Sequence, residues 1–155
     1  MNTADAAVSE TAASIETASW RDLNTLRQIE KECFPKDAWP LLDLVSVLTF
    51  PGVIRLKAVA DGQMVGFVAG DVKRMEGIAW IATIAVLPKW QGRGIGSELL
   101  RAVEEKIPLH TVRLCVRPSN QVAIHMYECF GYRTVGEWSK YYQDGEAALV
   151  MEKKK

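Results

Sequence analysis

The chain is short of almost every feature that would tie it to a strongly charged or apolar partner. Lys plus Arg and Asp plus Glu stand at 19 each over 155 residues, a formal net charge of zero, so no net field exists to hold nucleic acid or an anionic membrane. Apolar runs fall well short of the roughly 20 residues that cross a bilayer, and no basic segment followed by an apolar one opens the sequence. A cytoplasmic protein is expected. Cysteine is scarce as well. Cys33, Cys115 and Cys129 form an odd, scattered set without the paired short spacing of a zinc site, which makes reduced thiols the expectation. The only histidines, His110 and His125, lie far apart with no carboxylate arrangement beside them, so no metal is implied. What remains is 48% apolar and 25% charged, the usage of an ordinary globular domain with one core.

Residues 1–18 are mostly Ala, Thr, Ser, Glu and Asp, too poor in apolar surface to offset the entropy of ordering. They are expected to form a mobile tail ahead of a single domain over 19–155. Ser19 with Asp22 resembles a capping box, and Trp20, Leu23, Leu26, Ile29 and Cys33 then recur at helical spacing. Leu41 to Phe50 reads as a second short helix. From Val53 the period changes: Val53–Ala60, an Asp61-Gly62 turn and Met64–Val72 predict an antiparallel hairpin. Ile78–Leu87 is almost continuously apolar, as suits a strand covered on both faces. A helix carrying Leu99, Leu100, Val103 and Ile107 is closed by Pro108. A strand at Val112–Val116, a helix over Asn120–Phe130 stopped by Gly131, and strands around Tyr132–Trp138 and Ala147–Met151 complete the chain. This order implies a mixed α/β (α+β) fold, a mostly antiparallel sheet flanked by about four helices, rather than a doubly wound one.

The segment Gln91-Gly92-Arg93-Gly94-Ile95-Gly96-Ser97 sits between a buried strand and an amphipathic helix. Successive N–H groups at a helix start, with the positive end of the helix dipole behind them, make a site for a diphosphate, and Arg93 can add a charged donor. A Rossmann fingerprint would need glycine at Ser97, and a Walker motif would need a Gly-Lys-Ser/Thr ending that the chain lacks. A nucleotide-binding domain therefore fails on motif context. A glycine-rich turn serving packing alone is the plainer alternative.

The flanking residues point further. Gln91-x-x-Gly94-x-Gly96 after Ile84-Ala85-Val86-Leu87-Pro88 resembles the signature loop of the GNAT acetyltransferases. Downstream, Leu114-Cys115-Val116-Arg117-Pro118-Ser119-Asn120 leads into a helix with Tyr127 and an aromatic-glycine-aromatic stop at Phe130-Gly131-Tyr132. Together with Cys33-Phe34-Pro35, Trp39-Pro40, Tyr141-Tyr142 and Glu146-Ala147-Ala148, this is similar to the branch that acetylates protein N-termini, the ribosomal-protein alanine acetyltransferase and archaeal relatives included.

The resemblance implies acetyl-CoA as co-substrate and no metal. It lays the pantetheine arm along the backbone of Ile84, Ala85 and Val86, the diphosphate on Gln91, Gly92, Arg93, Gly94, Ile95, Gly96 and Ser97, and Asn120 on the arm. Direct transfer to an amine needs a neutral nucleophile and a proton donor for the departing thiolate. Tyr127 fits the donor; its alternative is an inward aromatic on a helix. The branch often carries a glutamate or histidine as base where this chain has Cys115, and some relatives carry a tyrosine where Trp80 stands. A thiol of ordinary pKa about 8.5 in an apolar strand reads as core. Asp37 and Glu76 are alternative bases. An α-amine of pKa near 8 can instead arrive partly neutral and lose its proton through ordered water.

Phe34, Pro35, Tyr141 and Tyr142 are implied to grip the acceptor, a protein or peptide N-terminus. For the two tyrosines, an edge-strand aromatic pair packed on its neighbours is the alternative. A small amine as acceptor and a non-catalytic acyl-CoA-binding module are the rival functions. Oligomeric state, acceptor identity and preferred first residue are not encoded in any motif.

Overall fold

The computed structural model describes residues 13–155. Seven strands form one sheet in the order β1-β2-β3-β4-β5-β7-β6, where β1 is Ser14–Thr17, β2 Val53–Ala60, β3 Gln63–Lys73, β4 Ile78–Val86, β5 Thr111–Val116, β6 Arg133–Trp138 and β7 Ala148–Lys154. All pairings are antiparallel except β4 with β5. The helices are α1 (Leu23–Cys33), α2 (Leu41–Thr49), α3 (Ile95–Lys106) and α4 (Gln121–Cys129). The mixed α/β expectation holds.

Local chemistry accounts for the element boundaries. Asp61 and Gly62 both take positive φ, 51° and 73°, the geometry of the tight turn whose twist matches a β-hairpin. Ser19 and Asp22 do close a capping box: the Ser19 N–H donates to Asp22 Oδ2 at 2.8 Å and the Arg21 N–H to Ser19 Oγ at 3.3 Å. The box starts a 3₁₀ turn at Trp20–Asp22 that runs into α1. Trp20 consequently falls outside the α1 stripe and is 67% exposed, contrary to the periodicity.

The described end of the segment 1–18, expected as a tail, is a strand instead. Residues 1–12 lie outside the described residues, but Ser14–Thr17 pairs antiparallel with Lys57, Leu56, Ala58 and Val59 of β2 as an edge strand. An edge strand needs only one face covered, and Ile15 supplies it by packing on the core.

One face of the sheet is covered by α3 and α4, with Leu99, Leu100 and Val103 fully buried against Val65, Val68 and Leu114. The other carries α1 and α2, where Leu26, Ile29, Leu44 and Leu48 meet Phe67, Ala69 and Ala85. Each such side chain contributes about 1.5–3 kcal/mol. Helix α3 lies unusually close to β3: a Cβ on Gly66 would come within 3.0 Å of the Ala85 carbonyl oxygen and 3.1 Å of Leu99 Cδ1. β4 is covered on both faces, as its apolar run implies, yet alternate residues from Ile78 to Val86 remain only half-buried.

Candidate active site

Two features of β4 create an opening in the middle of the sheet. Its pairing with β5 runs only from Ile78–Thr111 to Ile81–Leu114, while its pairing with β3 continues to Val86–Gly66. Ala82 is passed over in that register, between Ile81–Gly70 and Thr83–Ala69, and such a bulge bends the strand it interrupts. Beyond it the backbone edge of Thr83, Ile84, Ala85 and Val86 faces β5 without a strand partner. A splayed edge of this kind offers hydrogen bonds to an extended ligand.

The edge leads into the glycine loop. After a 3₁₀ turn at Pro88–Trp90, anchored by the buried Trp90, Gly92 and Gly94 take φ of 77° and 81°. A Cβ at either would meet no protein atom within 4 Å, so glycine is required by backbone conformation while the space above stays open. Gly94 is the N-cap of α3, and its carbonyl accepts from the Glu98 N–H at 3.0 Å. The N–H groups of Ile95, Gly96 and Ser97 precede the first intrahelical donor. The loop therefore fits a diphosphate. Two exposed side chains in it are engaged locally: Gln91 Nε2 donates to the Val86 carbonyl at 3.0 Å, and the Arg93 guanidinium lies over the Trp90 ring at 4.7 Å and donates to the Lys89 carbonyl at 3.4 Å. Arg93 is thus oriented by an aromatic face while staying exposed beside the loop.

Across the opening, Tyr127 is 5% exposed on α4, edge-on to Tyr132 with centroids 5.8 Å apart. The Tyr132 hydroxyl donates to Glu104 at 2.7 Å and fixes that platform. Burial, with the neighbouring Tyr142 phenol adding to it, pushes the Tyr127 pKa well above that of a free phenol, so the hydroxyl stays protonated. Asn120 caps α4 through Oδ1, which accepts from the Ala123 N–H at 3.2 Å. That leaves its Nδ2 hydrogens as donors.

Cys115 is half-buried on β5, with a thiol pushed up by burial against a small opposing pull from the Tyr141 side chain. Beside it runs a chain of aromatic rings: Trp80–Trp138 at 5.8 Å, Trp138–Tyr141 at 5.6 Å and Tyr141–Tyr142 at 4.9 Å. Burial also raises Tyr141, and it pushes Tyr142 up to about 12. The tyrosine pair is packed on its neighbours, yet Tyr141 keeps 51% of its surface exposed.

Phe34 and Pro35 follow α1 directly, Phe34 packing on the core beneath α1 and α2. Of the acids considered as bases, Asp37 lies in the same connection and is engaged by Arg117, Nε to Oδ2 being 3.0 Å. Glu76 sits in the exposed turn before Ile78, at the end of β4 remote from Val86. The two histidines stay apart: His110 gives its carbonyl to the Lys155 N–H at 2.7 Å, and exposed His125 lies 3.7 Å from Cys129. Among the described residues no three His, Cys, Asp or Glu side chains converge as metal ligands.

Two groups escaped sequence reasoning. Glu30, next to Ile29 on the apolar stripe of α1, is 1% exposed. Its Oε1 accepts from Thr83 Oγ1 at 3.0 Å, and Oε2 has no partner. Arg117, at the end of β5, gathers Asp37, Asp144 and Glu146. The Asp144-Gly145-Glu146 run beside Tyr141-Tyr142 was the available signal for that second group.

A splayed strand edge and a glycine loop at a helix start, with a buried phenol on α4, are features that fit an acyl-CoA ligand, and the comparisons point to the same chemistry. Residues 23–132 match the model of the acetyltransferase (GNAT) family. The chain is 33% identical to an uncharacterized N-acetyltransferase of Methanocaldococcus jannaschii over 91% of each chain, and 31% identical to the N-alpha-acetyltransferase RimI of Mycobacterium tuberculosis over 84% of this chain and 85% of that one. The crystal structure of the ribosomal-protein-S18-alanine N-acetyltransferase from Escherichia coli superposes with a TM-score of 0.83 at 26% identity, covering 92% of this chain and 93% of the other. With its cleft and its sequence in accord, the chain belongs to the GNAT family of acetyl-CoA-dependent N-acetyltransferases.

Proposed function

We propose that the acceptor is the α-amine of a protein or peptide N-terminus and that Tyr127 is the general acid. The observation that carries this reading is the pairing of two loops at the splayed end of the sheet. Phe34 and Pro35 stand on one, Tyr141 and Tyr142 on the other, and both engage the same Arg117. A groove with aromatic walls and phenol hydroxyls suits an extended peptide end, whose backbone offers hydrogen bonds and whose first side chain offers apolar surface. N-alpha-acetylation by the mycobacterial relative supports the same acceptor class.

Acetyl-CoA supplies an activated thioester carbonyl; the chain's residues supply everything else. The Ile84–Val86 edge and the Gly92–Ser97 loop hold the cofactor, with Asn120 Nδ2 as a further donor to it. The Tyr127 hydroxyl, neutral at any physiological pH, gives its proton to the leaving sulfur. Among the described residues at the acceptor end, Cys115, Tyr141 and Tyr142 are all raised, and Asp144 and Glu146 are lowered by the backbone and Arg117 hydrogen bonds that hold them ionised, so none of these five is a base poised near neutrality. The proton that the attacking nitrogen sheds returns to the Tyr127 phenolate left by protonation of the sulfur, so the phenol is restored, and the amine itself must enter neutral. At pH 7 that favours an α-amine of pKa about 8 over a lysine of about 10.4 by roughly 200-fold in neutral fraction.

The test is release of free coenzyme A with short peptides differing at residue one, each with a free or blocked N-terminus. Transfer is expected to free N-termini only, with kcat/KM rising with pH and levelling near the acceptor's own pKa. Equal transfer to blocked lysine peptides, or cofactor binding with no transfer to peptides, sinks the reading. Transfer to small amines alone moves the acceptor to that class.

A further inference from the structure

The Arg117 side chain is 17% exposed and lies between two connections distant in sequence. Toward the α1–α2 connection, Nε and Nη2 both donate to Asp37 Oδ2. Toward the β6–β7 connection, Nη1 donates to Asp144 Oδ1 and Oδ2 at 3.0 and 2.9 Å and to Glu146 Oε1 at 2.8 Å. The guanidinium carbon also lies 4.1 Å from the centre of the Tyr142 ring, within cation–π range. Glu146 is itself fixed from behind, Oε2 accepting from the Ser119 N–H at 3.0 Å and Oε1 from Ser119 Oγ at 2.9 Å.

We propose that Arg117 is a positioning residue, a clasp that ties the α1–α2 connection to the β6–β7 connection and thereby sets the width of the acceptor groove. The inference rests on the reading that these two connections form the acceptor walls. The electrostatics give the clasp its leverage. Three carboxylates meet one guanidinium, so without the cation the two connections repel each other across the groove. The only other ion pair between them among the described residues is Lys36–Asp144 at 3.8 Å, with Lys36 73% exposed, and an exposed pair of that kind contributes little. Lysine at 117 would keep the charge but not the planar fork that reaches both sides at once.

The network touches neither the glycine loop nor the β4 edge; it comes nearest the proposed cofactor donors at Ser119, beside Asn120, on the Glu146 side, which a change at Asp37 leaves in place. Tyr127 rests edge-on against Tyr132, which the network does not touch. Loss of the clasp therefore appears in acceptor binding.

The decisive variants are Asp37→Ala, which removes the acceptor on one side and leaves the other side in place, and Arg117→Lys. Each is expected to raise the acceptor KM about tenfold while kcat changes less than about threefold, the pattern of lost uniform binding. The acetyl-CoA Kd should stay within about twofold of wild type. Amide hydrogen exchange at residues 34–39 and 139–146 should quicken in both variants while α3 is unchanged. Exchange as slow as wild type in Asp37→Ala overturns the clasp, and quickened exchange with an unchanged acceptor KM overturns its positioning role. If the wild type acetylates only small amines, the N-terminal reading fails separately. The clasp is then decided by the same exchange and KM comparison with that amine.

Discussion

The proposed cofactor end and the proposed acceptor end of the site are built from different materials. At the cofactor end the working groups belong to the main chain: an unpaired strand edge from Thr83 to Val86, positive-φ glycines at 92 and 94, and the first N–H groups of α3. At the acceptor end they are side chains brought together from far apart, Arg117 meeting Asp37, Asp144 and Glu146 under a run of four aromatic rings. Main-chain sites tolerate most side-chain change and fail when the backbone is forced out of shape. Side-chain networks fail when one partner is removed. Tyr127 lies between the two ends, buried like a core residue and yet bearing a protonated hydroxyl.

The largest effect expected from a single atom lies at that junction. Tyr127→Phe keeps the ring and its contact with Tyr132 but removes the proton donor, so kcat should fall by about 10²-fold or more, the usual scale of general acid catalysis. Acetyl-CoA affinity and melting temperature should stay near wild type. Single-turnover kinetics checks this; a fall of less than about fivefold in the chemical step would return Tyr127 to a packing role and leave the two ends without a chemical link.

The next test breaks the cofactor end alone. Gly94 holds φ at 81° with free space above its Cα. Gly94→Val introduces left-handed strain of about 1–2 kcal/mol into the loop. Acetyl-CoA Kd should rise about tenfold, with acceptor KM at saturating cofactor unchanged, as calorimetric titration and steady-state rates would report. An unchanged Kd would mean that the loop serves packing and that the diphosphate sits elsewhere.

This division of materials also decided how much was legible in the sequence. Contiguous backbone devices leave contiguous marks: Asp61-Gly62 marks the hairpin, Ser19 with Asp22 the capping box, and Gln91 to Ser97 the loop. Asn120 and Tyr127 lie on one short helix, so their spacing carries over intact. The Arg117 clasp joins residues 80 and 27–29 positions apart, and no local period encodes such a meeting. β1 is four residues with Ile15 as its one apolar member, too short for alternation to stand out from a polar tail. Glu30 looks like any acid at the border of an amphipathic stripe. Its burial follows from Thr83, on a strand that folds against α1 from 53 residues away.

Glu30 yields the smallest effect and the clearest sign. Burial raises its pKa above the ordinary glutamate value of 4.5, against a weaker opposing pull from the Thr83 hydrogen bond and the nearby Trp39 backbone, and Oε2 lacks a partner. The native state therefore holds its proton at pH values where the unfolded chain has lost it. A group of this kind contributes its full stability below the unfolded pKa, and that contribution is lost as pH rises through the folded one. Glu30→Gln keeps an acceptor for Thr83 and cannot ionise. Relative to the variant, wild type should lose about 1 kcal/mol as pH rises from 4 toward neutrality, the scale of one poorly met buried polar group. Denaturant unfolding of both proteins across that range measures it. Parallel curves would mean that Glu30 ionises in the fold at its ordinary pH, which requires solvent to reach Oε2 and would open the α1 face of β4 to water beside the cofactor edge.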